Sequence, residues 1–341
     1  MSQPVTASAA ATGLPRPWLV ADIGGTNARF GWLAEGCEQP REVQTLRGAD
    51  HAGPAQAAHA YLAQVAGRLG ADYRPPRAAA FAVATPVGAD RITLTNSGWS
   101  FSCAQTQREL GLDALLMLND FEALALSLPR LGRGQTRPIP GRGPAAAVAG
   151  AALAVIGPGT GLGVAGLVPT RHGWVALPGE GGHATLAPGD DFESALLAAV
   201  RRDHAHVSAE RLLSGIGLPV LHEAVCTVLG QGARGLNAEQ IVDGALAGGD
   251  PSCLRTVDSF CALLGSFAGS VALLLGARGG VYIGGGIVPR LGEHFFASRF
   301  RERFESKGRF QAYLQGIPTA LITDTLAALS GAALALEQHE A

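Results

Sequence analysis

Two glycine-rich turns and a small set of carboxylates carry the chemistry available to this sequence. Asp22-Ile-Gly24-Gly25-Thr26-Asn27 and Gly157-Pro-Gly159-Thr160-Gly161 each follow or end a short apolar run. In the first turn, two glycines can take positive φ. Backbone N–H groups of such turns can aim at one point and cradle an oxyanion or a phosphate. Thr26, Asn27 and Thr160 add side-chain donors. Asp22 would repel phosphate unless a Mg²⁺ ion lay between them, held directly or through water. Two such turns facing each other would grip a triphosphate from both sides; ordinary hairpin turns are the plainer alternative. Gly284-Gly285-Gly286 stands between a strand and a helix. It is either a tight connection or a bare backbone lying against a base or ribose.

The polar candidates have a different character. Asn119-Asp120 ends an apolar run and opens a helix, which sets a carboxylate at the carboxyl edge of a sheet, where open α/β folds bind ligands. An aspartate there also serves as a helix cap. Glu180 and His183 stand among glycines in Leu177-Pro-Gly-Glu-Gly-Gly-His183. Glycines let backbone approach a small ligand, and Glu and His both hydrogen-bond hydroxyls. A metal pair is the competing reading, but two ligands without a third make a poor site. Glu210 either caps a helix or adds a second carboxylate. His204 and His206 read as surface histidines. Short acceptors with few cations suit a polyhydroxylated ligand such as a sugar.

Composition narrows the partners. The chain has 341 residues, 47% hydrophobic and 16% charged, with 47 glycines and a formal charge of -2. That excludes a disordered chain, suggests about two domains, and offers no basic excess for nucleic acid. Among the 26 basic residues only Lys307 is lysine. Neither a Gly-Lys-[Ser/Thr] phosphate loop nor a kinase strand lysine is available, so a nucleotide must be held by backbone amides and a metal. Lys307, in Glu305-Ser-Lys-Gly-Arg309, reads as a solvated helix end. Five widely spaced cysteines without a C-x-x-C fit a reducing cytoplasm and no disulfide framework. Residues 1–17 read as a loose tail rather than a signal peptide.

The elements that must position these residues alternate between strand and helix. Trp18–Ile23, Ala28–Leu33, Ala78–Ala84, Arg91–Thr95, Leu115–Leu118, Ala152–Ile156, Leu162–Val168, Gly280–Ile283 and Ala320–Thr323 read as strands. Helices are expected over Ser102–Leu110, from Asp120 to near Pro129, over 252–277, from about Val288 to Phe304, and at the C-terminus. Strand, Gly-Thr turn, strand occurs twice. The pattern predicts an α/β protein with largely parallel sheets. Residues 130–146, rich in Gly, Pro and Arg, mark a boundary or crossover. Gly161-x-Gly-x-x-Gly166 matches a dinucleotide fingerprint, but a strand follows it where a helix is required. Ser259–Ala277 is uncharged and carries Gly265-x-x-x-Gly269; we read it as a buried helix whose small residues allow close packing, not a membrane span.

Taken in order, Asp22-Ile-Gly-Gly-Thr-Asn-Ala-Arg29, Thr95-Asn-Ser-Gly-Trp99, Asn119-Asp-Phe121, Gly157-Pro-Gly-Thr-Gly-Leu-Gly163, Leu177–His183, Ser208–Gly215 and Gly284-Gly-Gly-Ile-Val-Pro-Arg290 resemble the bacterial ATP-dependent glucokinases of the hexokinase–actin–heat-shock chaperone superfamily. The resemblance implies two ribonuclease-H-like, actin-like ATPase domains flanking an active-site cleft: a smaller one over residues 18–130 and 324–341, a larger one over 131–323. It implies transfer of phosphate from Mg-ATP to the 6-hydroxyl of D-glucose, giving glucose 6-phosphate and ADP for glycolysis. Asp120 would then be the catalytic base, and Asn119, Asp120, Glu180, His183 and Glu210 the sugar ligands. Asp22, Gly24, Gly25, Thr26, Asn27, Gly159, Thr160, Gly161, Gly284 and Gly285 would hold ATP, with Asp22 toward the Mg²⁺. A cytoplasmic homodimer without nucleic-acid or membrane partners is implied as well. Related repressor-type sugar kinases carry a cysteine zinc motif that is missing here.

Overall fold

The computed structural model describes residue 14, residues 16–94 and residues 98–339. Most of the expected tail (1–13 and 15) and residues 95–97 of the Thr95–Trp99 segment lie outside the described residues. The chain divides into two compact units. One takes the chain up to Ser127, Arg171–Gly173 and the chain from Leu326 onward; the other takes Leu128–Thr170 and Trp174–Thr325.

The strands of the first unit are β1 (Trp18–Ile23), β2 (Asn27–Leu33), β3 (Arg41–Arg47), β4 (Ala78–Val83), β5 (Arg91–Thr93), β6 (Ser100–Ser102) and β7 (Ala114–Asn119). A five-stranded sheet runs β3-β2-β1-β4-β7, and β5 pairs with β6 separately. Strand β1 is antiparallel to β2 and parallel to β4, which is parallel to β7. Every residue of β4 is buried, as its apolar sequence demands. One face of the sheet packs Leu19, Phe30 and Phe81 with Tyr61 of helix Pro54–Leu69. The other packs Trp18, Val20 and Leu118 with Ala123 of helix Asp120–Ser127 and Leu329, Ala332 and Ala333 of helix Ala327–Gln338. Side chains alternate along a strand, so Asp22 shares the second face with Val20.

The second unit holds β8 (Thr136–Pro138), β9 (Leu153–Pro158), β10 (Leu162–Thr170), β11 (Gly173–Gly179), β12 (Gly280–Ile283) and β13 (Thr319–Ile322). They form a six-stranded sheet ordered β11-β10-β9-β12-β13-β8. The hairpin β9–β10 with parallel neighbours β12 and β13 repeats the arrangement of β1–β2 with β4 and β7. The doubled strand–turn–strand pattern of the sequence is therefore a doubled topology. Both sheets are mixed, however, not largely parallel. A turn of three or four residues can only return the chain antiparallel, so each glycine turn makes a hairpin.

Helix Pro251–Leu275 crosses the core of this unit. By length and composition it could span a membrane, but 72% of its most apolar window is buried in the protein. Cβ atoms on Gly265 and Gly269 would collide with the carbonyl oxygens of Phe300 and Phe304, so these glycines are where helix Phe300–Glu305 leans on it. Two expectations need correction. The helix expected over Val288–Phe304 is three short ones, Ile287–Leu291, Glu293–Ala297 and Phe300–Glu305. Gly292, at φ +52°, and the extended Ser298 interrupt it. Lys307 is not a solvated helix end. Its Nζ donates to Ser266 O at 2.8 Å and Ser270 Oγ at 3.0 Å, fastening the chain to the long helix, and burial lowers its pKa.

Helix Ala327–Gln338 bears on the helix that starts at Asp120. A Cβ on Gly331 would strike the Ala123 carbonyl oxygen. Gly331→Ala is predicted to destabilise the protein by about 1–3 kcal/mol, the usual range for overpacking. A thermal or urea unfolding midpoint equal to that of the unsubstituted protein would contradict this packing.

Candidate active site

In the first unit, three parallel strands end level with one another. Ile23 pairs with Val83 and Val83 with Asn119, so Gly24, Ala84 and Asp120 follow at the same edge of the sheet. Gly24 and Asp120 stand two strand spacings apart, about 10 Å. The first turn closes through Gly24 N–H donating to Asn27 O at 2.9 Å, and Gly48 N–H holds Thr26 O at 2.8 Å. Gly24 does not supply the left-handed backbone that its sequence suggested. The β1–β2 turn is closed by its own hydrogen bond instead, and only Asn27 O comes near the Cβ position of Gly24, at 3.6 Å. Asp22 is half-buried, with Arg29 Nη1 3.9 Å from its Oδ2. Burial raises its pKa and the guanidinium partly opposes that rise.

Asp120 is the first residue of helix Asp120–Ser127. Its Oδ1 accepts from Phe121 N–H at 2.9 Å. Asn119 caps the helix through Oδ1, which accepts the same N–H at 3.0 Å, while its Nδ2 donates to Thr85 O at 3.3 Å. The cap is therefore Asn119 rather than the aspartate; Asp120 is the first helical residue, and the pair sits at the strand-end edge.

In the second unit, residues 180, 183 and 210 come together. His183 Nε2 lies 4.0 Å from Glu180 Oε2 and 3.9 Å from Glu210 Oε1. Those separations exceed a hydrogen bond, so three polar groups converge without satisfying one another. Glu180 and His183 side chains are 69% and 61% exposed, and that of Glu210 is 23% exposed. Two of the three loop glycines have a packing role, while the Cβ position of Gly179 is open. Gly181 and Gly182 let the loop press on β10, since a Cβ on Gly182 would overlap Leu162 O and one on Gly181 would crowd Val164. Glu210 is tied to that loop by its N–H, which donates to Gly182 O at 2.8 Å.

Glu210 also reaches the second glycine turn. Its Oε2 accepts the Leu162 N–H at 2.9 Å. A Cβ on Gly161 would come 2.5 Å from the same oxygen, so the absent side chain makes room for a carboxylate. Farther along, Gly215 N–H donates to Gly159 O at 2.7 Å. The segment from Glu210 to Gly215 therefore straps the turn from behind, while no atom approaches the Cβ position of Gly159.

The turn opens into a cavity of about 470 Å³ in the second unit. Thr160, Glu239 and Arg290 supply its polar lining and Leu218, Val242 and Ile287 its apolar lining. Apolar walls with a few polar groups suit a nucleoside. Gly286 lines this cavity. Gly284 N–H instead donates to Ile156 O at 2.8 Å, and Gly285, at φ +77°, lies against the Pro158 carbonyl. Those two glycines fit the turn to β9. Glu239 and Arg290, paired at 3.1 Å, were not singled out in the sequence. Arg290 ends the Gly284–Arg290 segment; Glu239 carries no local signal.

Among the described residues, no group of three or more His, Cys, Asp or Glu could hold a metal ion. A lone half-buried Asp22 fits only an ion that brings most of its oxygens with it, as Mg²⁺ does on a nucleotide. His206 Nε2 instead lies 3.1 Å from Thr185 Oγ1. All five cysteines are free.

A family model described as "Glucokinase" matches residues 19–339. A glucokinase of Aromatoleum aromaticum is 50% identical over 321 residues, covering 94% of this chain and 95% of that protein. One of Chromobacterium violaceum is 48% identical over 330 residues, covering 96% and 92%. Among solved structures, a glucokinase from an Antarctic psychrotroph superposes with a TM-score of 0.85 at 39% identity, covering 94% of this chain and 98% of that one. Both units have the actin-like ATPase type of fold expected from the resemblance. With its ordered glycine turns and its grouped Glu180, His183 and Glu210, the chain belongs to the glucokinase family.

Proposed function

We propose that this protein is an ATP:D-glucose 6-phosphotransferase, acting in the cytoplasm as a homodimer at the entry to glycolysis. The observation that carries the reading is the convergence of Glu180 and Glu210 on His183 within 4.0 Å. Three groups that face one another without bonding are what a ring of sugar hydroxyls can bridge, because each hydroxyl both donates and accepts. The family membership supports the same sugar.

Asn119, Glu180, His183 and Glu210 orient the glucose. The 6-hydroxyl is a weak nucleophile until its proton leaves, and Asp120 accepts that proton as the O6–phosphorus bond forms. The bond from the γ-phosphorus to the bridging oxygen breaks, and ADP leaves with that oxygen. Phosphoryl transfer otherwise needs positioning and charge stabilisation. Gly24 N–H and Gly159 N–H close their own turns on Asn27 O and Gly161 O, which leaves the other N–H groups of the turns at Gly24–Asn27 and Gly159–Gly161 for the phosphates. Thr160 joins them, and the cavity beside it takes the nucleoside. Asp22 would hold Mg²⁺ on the phosphates, where the ion supplies positive charge. Arg29 lies beside Asp22 and moderates the repulsion between its carboxylate and the donor.

The reading is tested by offering a panel of hexoses with Mg-ATP to the full chain and measuring ADP and hexose phosphate. Glucose-dependent ADP release with glucose 6-phosphate as product is expected; ATP hydrolysis indifferent to sugar, or sugar binding without turnover, would overturn it. Asp120→Asn should keep glucose affinity within about tenfold while kcat falls by about 10²–10⁴. A near-normal kcat would remove Asp120 from the role of base. Gly161→Ala should raise the KM for glucose by roughly tenfold, although the residue lies in the donor turn. The added methyl must displace Glu210 Oε2, at a cost of about 1–3 kcal/mol. Unchanged glucose KM in that variant would show that Glu210 does not serve both the turn and the sugar.

A further inference from the structure

The base proposed above stands at the end of an exposed edge of structure, and something must hold it still. Strand β7 is the edge strand of its sheet, with β4 as its one neighbour. Asn119 is its last residue and Asp120 begins the helix. The N–H of Asn119 does not end in water: it donates to Glu122 Oε2 at 3.2 Å. Asn119 Oδ1 in turn accepts from Phe121 N–H. The spacing is that of a capping box, an asparagine before the first turn and a glutamate three residues on, but only the glutamate half is made: Asn119 Oδ1 takes the N–H of Phe121 rather than that of Glu122. It is connected sideways as well. Asn119 Nδ2 holds Thr85 O, and the adjacent Ala84 N–H donates to Ile23 O at 3.3 Å. Glu122, Asn119, Thr85 and Ala84 thus lash together the ends of β7, β4 and β1, the edge that carries Asp120 and the Asp22–Asn27 turn.

Glu122 is placed for this task. Its carboxyl is partly buried, which pushes its pKa up, and the Asn119 N–H partly offsets that shift. We propose that Glu122 is a positioning residue of the transfer step: by holding the Asn119 main chain it fixes the direction of the Asp120 carboxylate. This rests on the reading of Asp120 as base. Glu122 touches neither substrate in this account and acts through Asn119. Small displacements of a catalytic group are costly; about 1 Å can lower turnover by 10²-fold.

The test compares Glu122→Gln, Glu122→Asp and Glu122→Ala in the full chain. Glutamine keeps an oxygen within reach of the Asn119 N–H but loses the charge. Aspartate keeps the charge and its favourable place in the first helical turn but withdraws the oxygen. Expected are a kcat within about threefold of the unsubstituted protein for Glu122→Gln and a loss of about tenfold or more for Glu122→Asp and Glu122→Ala. KM for ATP should stay within about threefold throughout. A kcat for Glu122→Asp equal to or above that of Glu122→Gln overturns the proposal, because charge or simple helix stability would then be what matters. If Glu122→Ala does not fold, the Asp and Gln pair still decides. Wild-type turnover of glucose is read first, since its absence overturns the proposed reaction and not the clamp. Hydrogen exchange of the Asn119 amide then decides the clamp: slow in wild type and Glu122→Gln and fast in Glu122→Asp, or, against the proposal, equally slow in all.

Discussion

One glutamate joins the glycine turn and the Glu180–His183 loop of the second unit. Glu210 Oε2 accepts the Leu162 N–H from behind the Gly159–Gly161 turn, and its other oxygen looks toward His183. A charge-assisted bond of this kind is among the stronger ones a surface loop can make. It accounts for three features. Gly161 must lack a side chain, because the carboxylate fills that space. The strap from Glu210 to Gly215 must stay short and rigid; Ser214 is fully buried and its Oγ donates to Glu210 O at 2.7 Å. Finally, the loop carrying Glu180 and His183 must lie flat on β10, since Glu210 N–H reaches Gly182 O. The groups proposed to bind sugar and the turn proposed to bind phosphate are therefore two faces of one hydrogen-bonded unit.

The first unit meets a different constraint. The residues proposed to act there follow strands that end in register, and parallel strands need covered faces. Helix Ala327–Gln338 covers one of them and comes so close to helix Asp120–Ser127 that only glycine fits at residue 331. The chemistry remains poor in cations. The one lysine is committed to Ser266 and Ser270, so in the proposed reading backbone N–H groups, arginines such as Arg29 and Arg290, and a metal carried with the donor would have to meet phosphate charge.

Much of this was legible in the sequence where one local rule sufficed. Trp18–Ile23 and Gly280–Ile283 are strands over the spans that their apolar runs mark, and the two glycine turns each join a hairpin. Edge strand β3, Arg-Glu-Val-Gln-Thr-Leu-Arg47, gave no apolar signal because it is largely solvated. Helix Pro54–Leu69 carries its own punctuation, proline at its first turn and Gly70 at its end. Other features depend on residues far apart in the chain. Nothing local says that Gly182 is bare because of Leu162, that Gly331 is bare because of Ala123, or that Glu239 borders a cavity. The alternation between strand and helix could not reveal that both sheets are mixed, since that depends on which strands the turns connect.

The central claim is that the sugar groups and the donor turn share Glu210, and linked binding measures it most directly. The affinity of a non-hydrolysable Mg-nucleotide for the full chain should be determined by titration calorimetry with and without saturating D-glucose. The account predicts tighter nucleotide binding in the presence of glucose, and the same factor for glucose in the presence of nucleotide, as linkage requires. Affinities that do not change in either direction would contradict it.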